Sequence, residues 1–333
     1  MRERYVAGVA RLEEIVQRLE PTLGPLSGEP EPLAGGITNH NYRVTLGGRQ
    51  HVIRVHGADT ALLGIDREAE RLASAAAATL AIAPALDAAF ADCLVTRYVA
   101  CSPVSAAEIA AGELDEIARA LRRFHDSRTQ LPARFWVPDL LDDYARTVRE
   151  RGVRLPPDYA EARAVAGLIA AALAPHEPRP CHNDLLAGNL IRSREDGALL
   201  IVDWEYAGMG HPCFDLGNLA VNNDFDEAAD ERLLRAYFGE PPSDARRATL
   251  ALMRVLSDAR EAAWGVLQAE ISEIDFDFER YARTHFERLH AAVQQPRMQD
   301  WLAAAGHDRA ARAPTAAAPL DAGVEEEGDG PAA

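Results

Sequence analysis

The chain has 333 residues, enough for one large or two modest domains with a real core, and its formal net charge is −17. That charge argues against a nucleic-acid surface; it reads first as a solubility trait, with a cationic substrate as its functional counterpart. No apolar run reaches membrane-spanning length, the N-terminus (MRERYVAGVARLEEIV) has no signal-peptide core, and the four cysteines (Cys93, Cys101, Cys181, Cys213) lack disulfide-framework or metal-ligand spacing, so a reducing cytoplasm is expected.

In chain order, residues 4–20 carry apolar side chains at helical spacing (Tyr5, Val9, Leu12, Ile15, Val16, Leu19), and Pro21 is expected to stop that helix. A Gly/Pro-rich segment follows. Asn41 to Leu46 and His51 to Val55 then alternate as strands, and Gly47-Gly48 between them reads as a tight hairpin turn. Residues 61–80 read as an alanine-rich helix, and Cys93 to Val99 as an apolar strand closed by Pro103. From about residue 104 the pattern is mostly helical, with helices expected over 113–128, 139–151, 159–175, 226–238, 243–271 and 275–293. From about Gly306 the composition turns to Ala, Pro, Gly and acid, which cannot bury enough apolar surface to order itself.

Two stretches interrupt the helical part. His182 to Leu190 reads HNDLLAGNL, and after a polar turn (Arg194-Glu195-Asp196-Gly197) Leu199 to Tyr206 reads LLIVDWEY. The first offers an acid, Asp184, and an amide, Asn189, five positions on; the second offers an acid, Asp203, at the exit of an apolar strand. A phosphoryl-transfer enzyme needs that set: one acid to receive the substrate hydroxyl proton, and an amide and a second acid to hold the Mg²⁺ that neutralises the nucleotide phosphates. Alone, the first stretch is equally an Asx-rich loop. The hairpin joining it to the second makes chance a poor explanation.

Upstream, Gly35 and Gly36 allow backbone N–H groups to approach phosphate oxygens, and Thr38 or Asn39 could add a donor. Arg54 lies on the second hairpin strand, where a kinase-like protein places the cation that touches the phosphates. The chain contains no lysine, so arginine must fill that role, and Walker-type NTPases and Schiff-base enzymes are set aside. Glu70, with Glu68 as its neighbour, is the expected carboxylate partner on the next helix, and Tyr98 and Val99 fall at the hinge where backbone groups meet adenine.

From about residue 30 to 295 the chain resembles the choline/ethanolamine kinase branch of the aminoglycoside-phosphotransferase and protein-kinase-like superfamily. The residues that carry the resemblance are GGITNHNYRV, HVIRVHG, IDREAE, LVTRYV, HNDLLAGNL, IVDWEYAG, FDLGN and WGVLQAEISEIDFDFERYA. It implies an α+β, protein-kinase-like fold of two lobes: an antiparallel-sheet nucleotide lobe over residues 1–99 and a mostly helical catalytic and acceptor lobe over 100–305, with 306–333 as an acidic tail. It implies Asp184 as base, Asn189 and Asp203 as Mg²⁺ ligands, and Arg54 with Glu70 at the ATP phosphates. Asp215 would brace the catalytic loop, and His182 would shape its backbone. Glu205, Tyr206 and Trp264 would face the acceptor, with Glu261 and Asp258 supplying charge about one and two turns before Trp264. Leu267 stands where eukaryotic choline kinases often carry a second tryptophan, so the aromatic box is thinner and leaves room for ethanolamine or another amino alcohol.

The expected activity is ATP- and Mg²⁺-dependent phosphorylation of a small cationic amino alcohol such as choline or ethanolamine, with no nucleic-acid or membrane partner. The rivals are a kinase for an aminoglycoside, thiamine or a sugar, a nucleotide-binding pseudokinase, and a hydrolase built on His182 and the acids. The intact set Asp184, Asn189, Asp203 speaks against the pseudokinase, and the lack of further histidines at zinc spacing against the hydrolase.

Overall fold

The computed structural model describes residues 2–33, 39–57, 60–173, 176–272 and 274–307. Helix α1 (Arg2–Leu23) precedes strands β1 (Leu26–Leu33), β2 (Asn39–Leu46) and β3 (Arg49–His56). Helix α2 (Arg67–Thr79) and strands β4 (Leu86–Phe90), β5 (Cys93–Arg97) and β6 (Cys101–Pro103) follow. The helical part holds α3 (Ala106–Glu108), α4 (Leu114–His125), α5 (Val137–Glu150) and α6 (Asp158–Ala172), then β7 (Arg179–Cys181), β8 (Leu190–Ser193), β9 (Leu199–Ile201) and β10 (Gly208–Gly210). It ends with α7 (Pro212–Asn222), α8 (Glu227–Phe238), α9 (Asp244–Ile271), α10 (Phe278–Val293) and α11 (Met298–Ala305).

The N-terminal sheet has the order β1-β2-β3-β5-β4, with every neighbouring pair antiparallel. Gly47 and Gly48 both have positive φ, as a two-residue hairpin turn between β2 and β3 requires. Alternation along β3 sends Ile53 and Val55 to one face, where they meet Leu12, Ile15, Val16 and Leu19 of α1. Val52 and Arg54 point to the other face. The register sets Asn41, Arg54 and Leu94 side by side across β2, β3 and β5, and all three line the interlobe cleft.

Two expectations about this region change. The helix runs past Pro21 to Leu23, since a proline in the last turn forfeits only one backbone bond near a helix end. The Gly/Pro-rich segment expected as loop forms β1. It is an edge strand, where Pro30 and Pro32 need no partner on their solvent side.

In the second half, β8 and β9 form the expected hairpin around Arg194–Gly197, and β7 pairs with β10. The loop between β7 and β8 therefore leaves one small sheet and enters another, and it carries HNDLLAGN. The 28-residue α9 is the spine against which α7 and α10 pack. Its approach to α7 depends on Gly217: a Cβ there would lie 2.7 Å from the Met253 carbonyl carbon. That closeness lets Asn218 reach both the β7–β8 loop, at the Leu185 N–H, and Ser257. Among the described residues no helix is long and apolar enough to cross a membrane.

Candidate active site

The loop after β7 is held by one buried carboxylate. Asp215, near the start of α7, accepts from the backbone N–H of His182 (2.8 Å) and of Asn183 (2.7 Å), and pairs with His125 Nε2 at 2.9 Å. Burial works against its charge, but the bond and charge of His125 and the His182 contacts hold its pKa below the usual carboxylate range. His182 Nδ1 accepts from the Asp184 N–H at 3.2 Å, so Nε2 carries the proton it donates to the Val202 carbonyl at 3.0 Å. Burial lowers its pKa and keeps it neutral in that tautomer. His182 thus ties the catalytic loop to the strand that delivers Asp203. His125, Cys181 and Asp215 have metal-ligand chemistry and lie within 4.8 Å of one another. Their atoms are spent inside the protein, however: on Tyr237, the Arg179 carbonyl and the two loop N–H groups.

Asn183 and Asp203 both sit at positive φ, 68° and 66°. Non-glycine residues held there signal a backbone set by its surroundings rather than by local preference. Asn183 is fixed by its amide donating to the Tyr206 carbonyl at 3.0 Å.

Asp184, Asn189 and Asp203 come together. The Asn189 amide donates to the Asp184 carbonyl at 2.8 Å and reaches its carboxylate at 3.4 Å, while the Asn189 carbonyl accepts from Val202 N at 2.9 Å, one residue before Asp203. Asn189 and Asp203 line a cleft of about 390 Å³ together with Arg54, Leu94, Tyr98 and Val99. Arg54 bonds Asp203 and lies 3.4 Å from Glu70. Burial opposes the Arg54 charge, but Asp203, Glu70 and Glu205 outweigh it and raise its pKa. Glu68 faces solvent beside Arg71, which leaves Glu70 as the interior partner. Tyr98 gives its backbone N–H to the Gln50 carbonyl, and both Tyr98 and Val99 line the cleft.

Several expected site residues stand elsewhere. Asn39 does not point at a phosphate position: its amide donates to Glu205 Oε2 at 2.7 Å and accepts from Arg67 at 3.1 Å. Glu205, expected beside the acceptor, is buried in that network and also meets Arg67 at 3.4 Å, so it links the segment after Asp203 to α2. Asp258 turns toward α10, where His285 (2.8 Å) and Arg288 (3.2 Å) hold it, and it borders a different cavity lined by α8, α9 and α10. Gly35, Gly36 and Thr38 lie outside the described residues.

Tyr206 and Trp264 do meet, through Trp264 Nε1–H donating to the Tyr206 hydroxyl at 2.9 Å. Phe278 and Tyr281 of α10 pack edge-on against Trp264, both at 5.7 Å, and supply the aromatic surface that Leu267, buried in the core, does not. Glu261 accepts from Tyr281 at 2.8 Å.

Two residues that motif reading passed over complete the site, Arg67 and Arg260. Arg67 bonds Glu70 at 2.7 Å. Arg260 Nη1 bonds Glu261 at 2.7 Å and Asp184 at 3.3 Å, and its guanidinium carbon lies 4.3 Å from the Tyr206 ring centroid. Around the cleft five carboxylates (Glu70, Asp184, Asp203, Glu205, Glu261) therefore face three guanidiniums (Arg54, Arg67, Arg260), a surplus of two negative charges. Burial, with Glu261, Asp203 and Glu205 outweighing Arg260, pushes the Asp184 pKa up to about 8. Even with Asp184 protonated the site keeps more negative than positive charge, and hard oxygen donors in such a site suit a magnesium ion.

The sequence profile of the phosphotransferase enzyme family (APH) matches residues 29–252. The chain belongs to this family. It is an enzyme that transfers a phosphoryl group to an alcohol. A choline/ethanolamine kinase family protein from Mesorhizobium loti has a solved structure that superposes with a TM-score of 0.75 at 30% identity, covering 89% of this chain and 99% of that one. LicA in complex with AMP superposes with a TM-score of 0.68 at 25% identity, covering 87% of this chain and 98% of that one. The probable choline kinase 1 of Arabidopsis thaliana is 23% identical over 320 residues, 83% of this chain and 92% of the relative. The fold expected from the motifs, a small antiparallel sheet followed by a larger helical part, is the fold of these kinases.

Proposed function

We propose that this phosphotransferase uses ATP and Mg²⁺ to phosphorylate the hydroxyl of a small amino alcohol, the group to which choline and ethanolamine belong. In this reading Asp184 orients the hydroxyl and takes its proton as the oxygen attacks the γ-phosphorus and the bond to the β-phosphate oxygen breaks. Arg54, steadied by Glu70, touches the phosphates. Val99 meets the adenine, and Tyr206, Trp264, Phe278 and Tyr281 wall the acceptor. Asn189 and Asp203 would hold the Mg²⁺, whose chemistry is to neutralise charge on the phosphates. The observation that supports the reading is Asn189, whose side-chain amide donates to the Asp184 carbonyl while its backbone carbonyl accepts from the N–H of Val202, next to Asp203, so that the candidate base and metal donors stand on joined segments. The relatives named choline and ethanolamine kinase support the acceptor class, and the relative solved with AMP supports the nucleotide.

The test is ADP release measured across choline, ethanolamine, methylated ethanolamines, thiamine and aminoglycosides. Turnover should be fastest with an amino alcohol. Asp184→Ala should lower kcat by about 10²–10⁴-fold, the usual worth of a positioned base, with nucleotide binding intact. Full activity in that variant would refute the assignment of the base, and preference for thiamine or an aminoglycoside would refute the acceptor class.

A further inference from the structure

We propose that Arg260 sets the acceptor specificity of this site: it excludes a quaternary ammonium from the Tyr206 face and selects an alcohol with a second, uncharged oxygen beside the reacting hydroxyl. The inference rests on the reading of Asp184 as the acceptor base. Choline lacks such an oxygen, and an amino diol has it.

Arg260 is 1% exposed. Its guanidinium lies over the Tyr206 ring at 4.3 Å, so the ring face that would attract a substrate ammonium already holds a cation of the protein's own. A trimethylammonium group brought to the same ring would meet that like charge and has no N–H with which to reach Glu261 around it.

The arginine also makes an offer. Nη1 is shared between Glu261 and Asp184, whereas Nε and Nη2 are buried without a hydrogen-bond partner. Buried donors on a charged group are costly to leave unmade, so a ligand that supplies an acceptor atom gains from meeting them. The three nitrogens belong to one rigid plane, and one of them touches the base. An oxygen that meets Nε or Nη2 shares a guanidinium with the nitrogen that bonds Asp184, so it can belong to the same small acceptor as a hydroxyl held by Asp184. That oxygen should be neutral. Arg260 already has Glu261 and Asp184 against one nitrogen, and a carboxylate would bring further negative charge beside them. The same imbalance favours a primary ammonium elsewhere on the acceptor, where its N–H groups can bond.

The experiment compares aminopropanediol, ethanolamine, glycerol and choline as acceptors for the wild type, Arg260→Met and Arg260→Gln, reading kcat/KM by ADP release and Kd by calorimetry. The wild type should favour aminopropanediol over choline by at least about tenfold, the size of discrimination one well-placed polar contact supplies. Both substitutions should bring that ratio toward one, by losing the diol and admitting choline. A purely structural arginine would lower all acceptors together and leave the ratio unchanged, which overturns the proposal. So does a wild type that uses choline as well as the diol, a result that stands even if neither variant folds. Absence of ADP with every acceptor sinks the reading of Asp184 instead. Arg260 is then judged on Kd alone, where tighter diol binding lost in the variants upholds it and binding of none of the four compounds overturns it.

Discussion

Asp184→Asn should stabilise the protein in a pH-dependent way while removing its activity. The Asp184 carboxyl, ordinarily near 3.8, is pushed up to about 8 by burial and by Glu261, Asp203 and Glu205, against the pull of Arg260. A carboxyl whose folded pKa is raised contributes stability that is fully present below the unfolded pKa and is lost as pH rises toward the folded one. From pH 4 to 8 the unfolded chain has released this proton and the native state still binds it, so stability falls with rising pH. Each unit is worth about 1.4 kcal/mol, so between pH 5 and 8 the ceiling is roughly 4 kcal/mol. With an unfolding entropy near 2.1 cal/mol/K per residue, a chain of this length loses about 6 °C in Tm for that amount. Asparagine mimics the neutral acid and has no such slope. Thermal melts of both proteins in metal- and nucleotide-free buffer at pH 5, 6, 7 and 8 should show the Tm of the variant pulling ahead of the wild type as pH rises, with the gap opening by several degrees. A gap that stays constant, or a wild type that gains on the variant with pH, would mean that Arg260 keeps Asp184 ionised throughout and would refute the raised Asp184 pKa.

Three further outcomes follow from the geometry. Arg54→Met should weaken binding of a fluorescent ATP analogue by about tenfold or more, the value of a charge-assisted phosphate contact, while acceptor KM at saturating nucleotide moves little; unchanged nucleotide affinity would remove Arg54 from the phosphate site. Asp215→Ala strands the N–H groups of His182 and Asn183 and the His125 ring, and should cost about 3–5 kcal/mol, seen as a Tm drop of roughly 5–8 °C together with loss of kcat. Gly217→Ala should destabilise by about 1–3 kcal/mol because its Cβ would press on Met253, whereas Gly167→Ala in α6, with open space around it, should be neutral or stabilise by up to about 1 kcal/mol; denaturant melts giving the same sign for both would contradict the packing described here.

The convergence of Asp184, Asn189 and Asp203 could be read from the sequence because these residues are concentrated in contiguous loops. HNDLLAGN and IVDW each place backbone and side chain within a few residues, so local order carries the information. Residues whose role is made by distant packing could not be read. Asn39 looked like a phosphate-loop donor, and only the approach of α2 and the segment after Asp203 shows that its amide is taken by Arg67 and Glu205. Asp258 shares a helix with Glu261 and Trp264, and the arrival of His285 and Arg288 from α10 draws it to the other side. The strand β1 was hidden for a different reason, because its prolines are tolerated only at an edge and edge position is a property of the finished sheet. Arg260 had a signal that was passed over: an arginine inside DAREAAWG, one residue from a glutamate and four before a tryptophan, lies on a helix stretch with no solvent-facing run around it.

The division of labour between loops and α9 bears on how acceptor choice arises. Asp184, Asp203 and Arg54 are carried by the β7–β8 loop, the residues after β9, and β3; Asp215, His182 and Asn189 lock the first two together, and the Arg54–Asp203 bond ties in the third. The acceptor side is fixed instead by one stretch of α9: Ser257 bonds Asn218, Glu261 and Arg260 meet beside Asp184, and Trp264 caps Tyr206, at spacings of three or four residues that keep them near one helix face. A substitution on that face changes what stands beside the base without disturbing the loops that hold it. In this chain the face presents a cation, Arg260, that is stacked on the pocket's tyrosine and held by two acids. The aromatic surface that remains is Trp264 with the α10 rings Phe278 and Tyr281. Under the proposed role of Arg260, an acceptor would bring its charge to the α10 side and its oxygen to Arg260, which a compact, polar alcohol can do where a bulky trimethylammonium cannot.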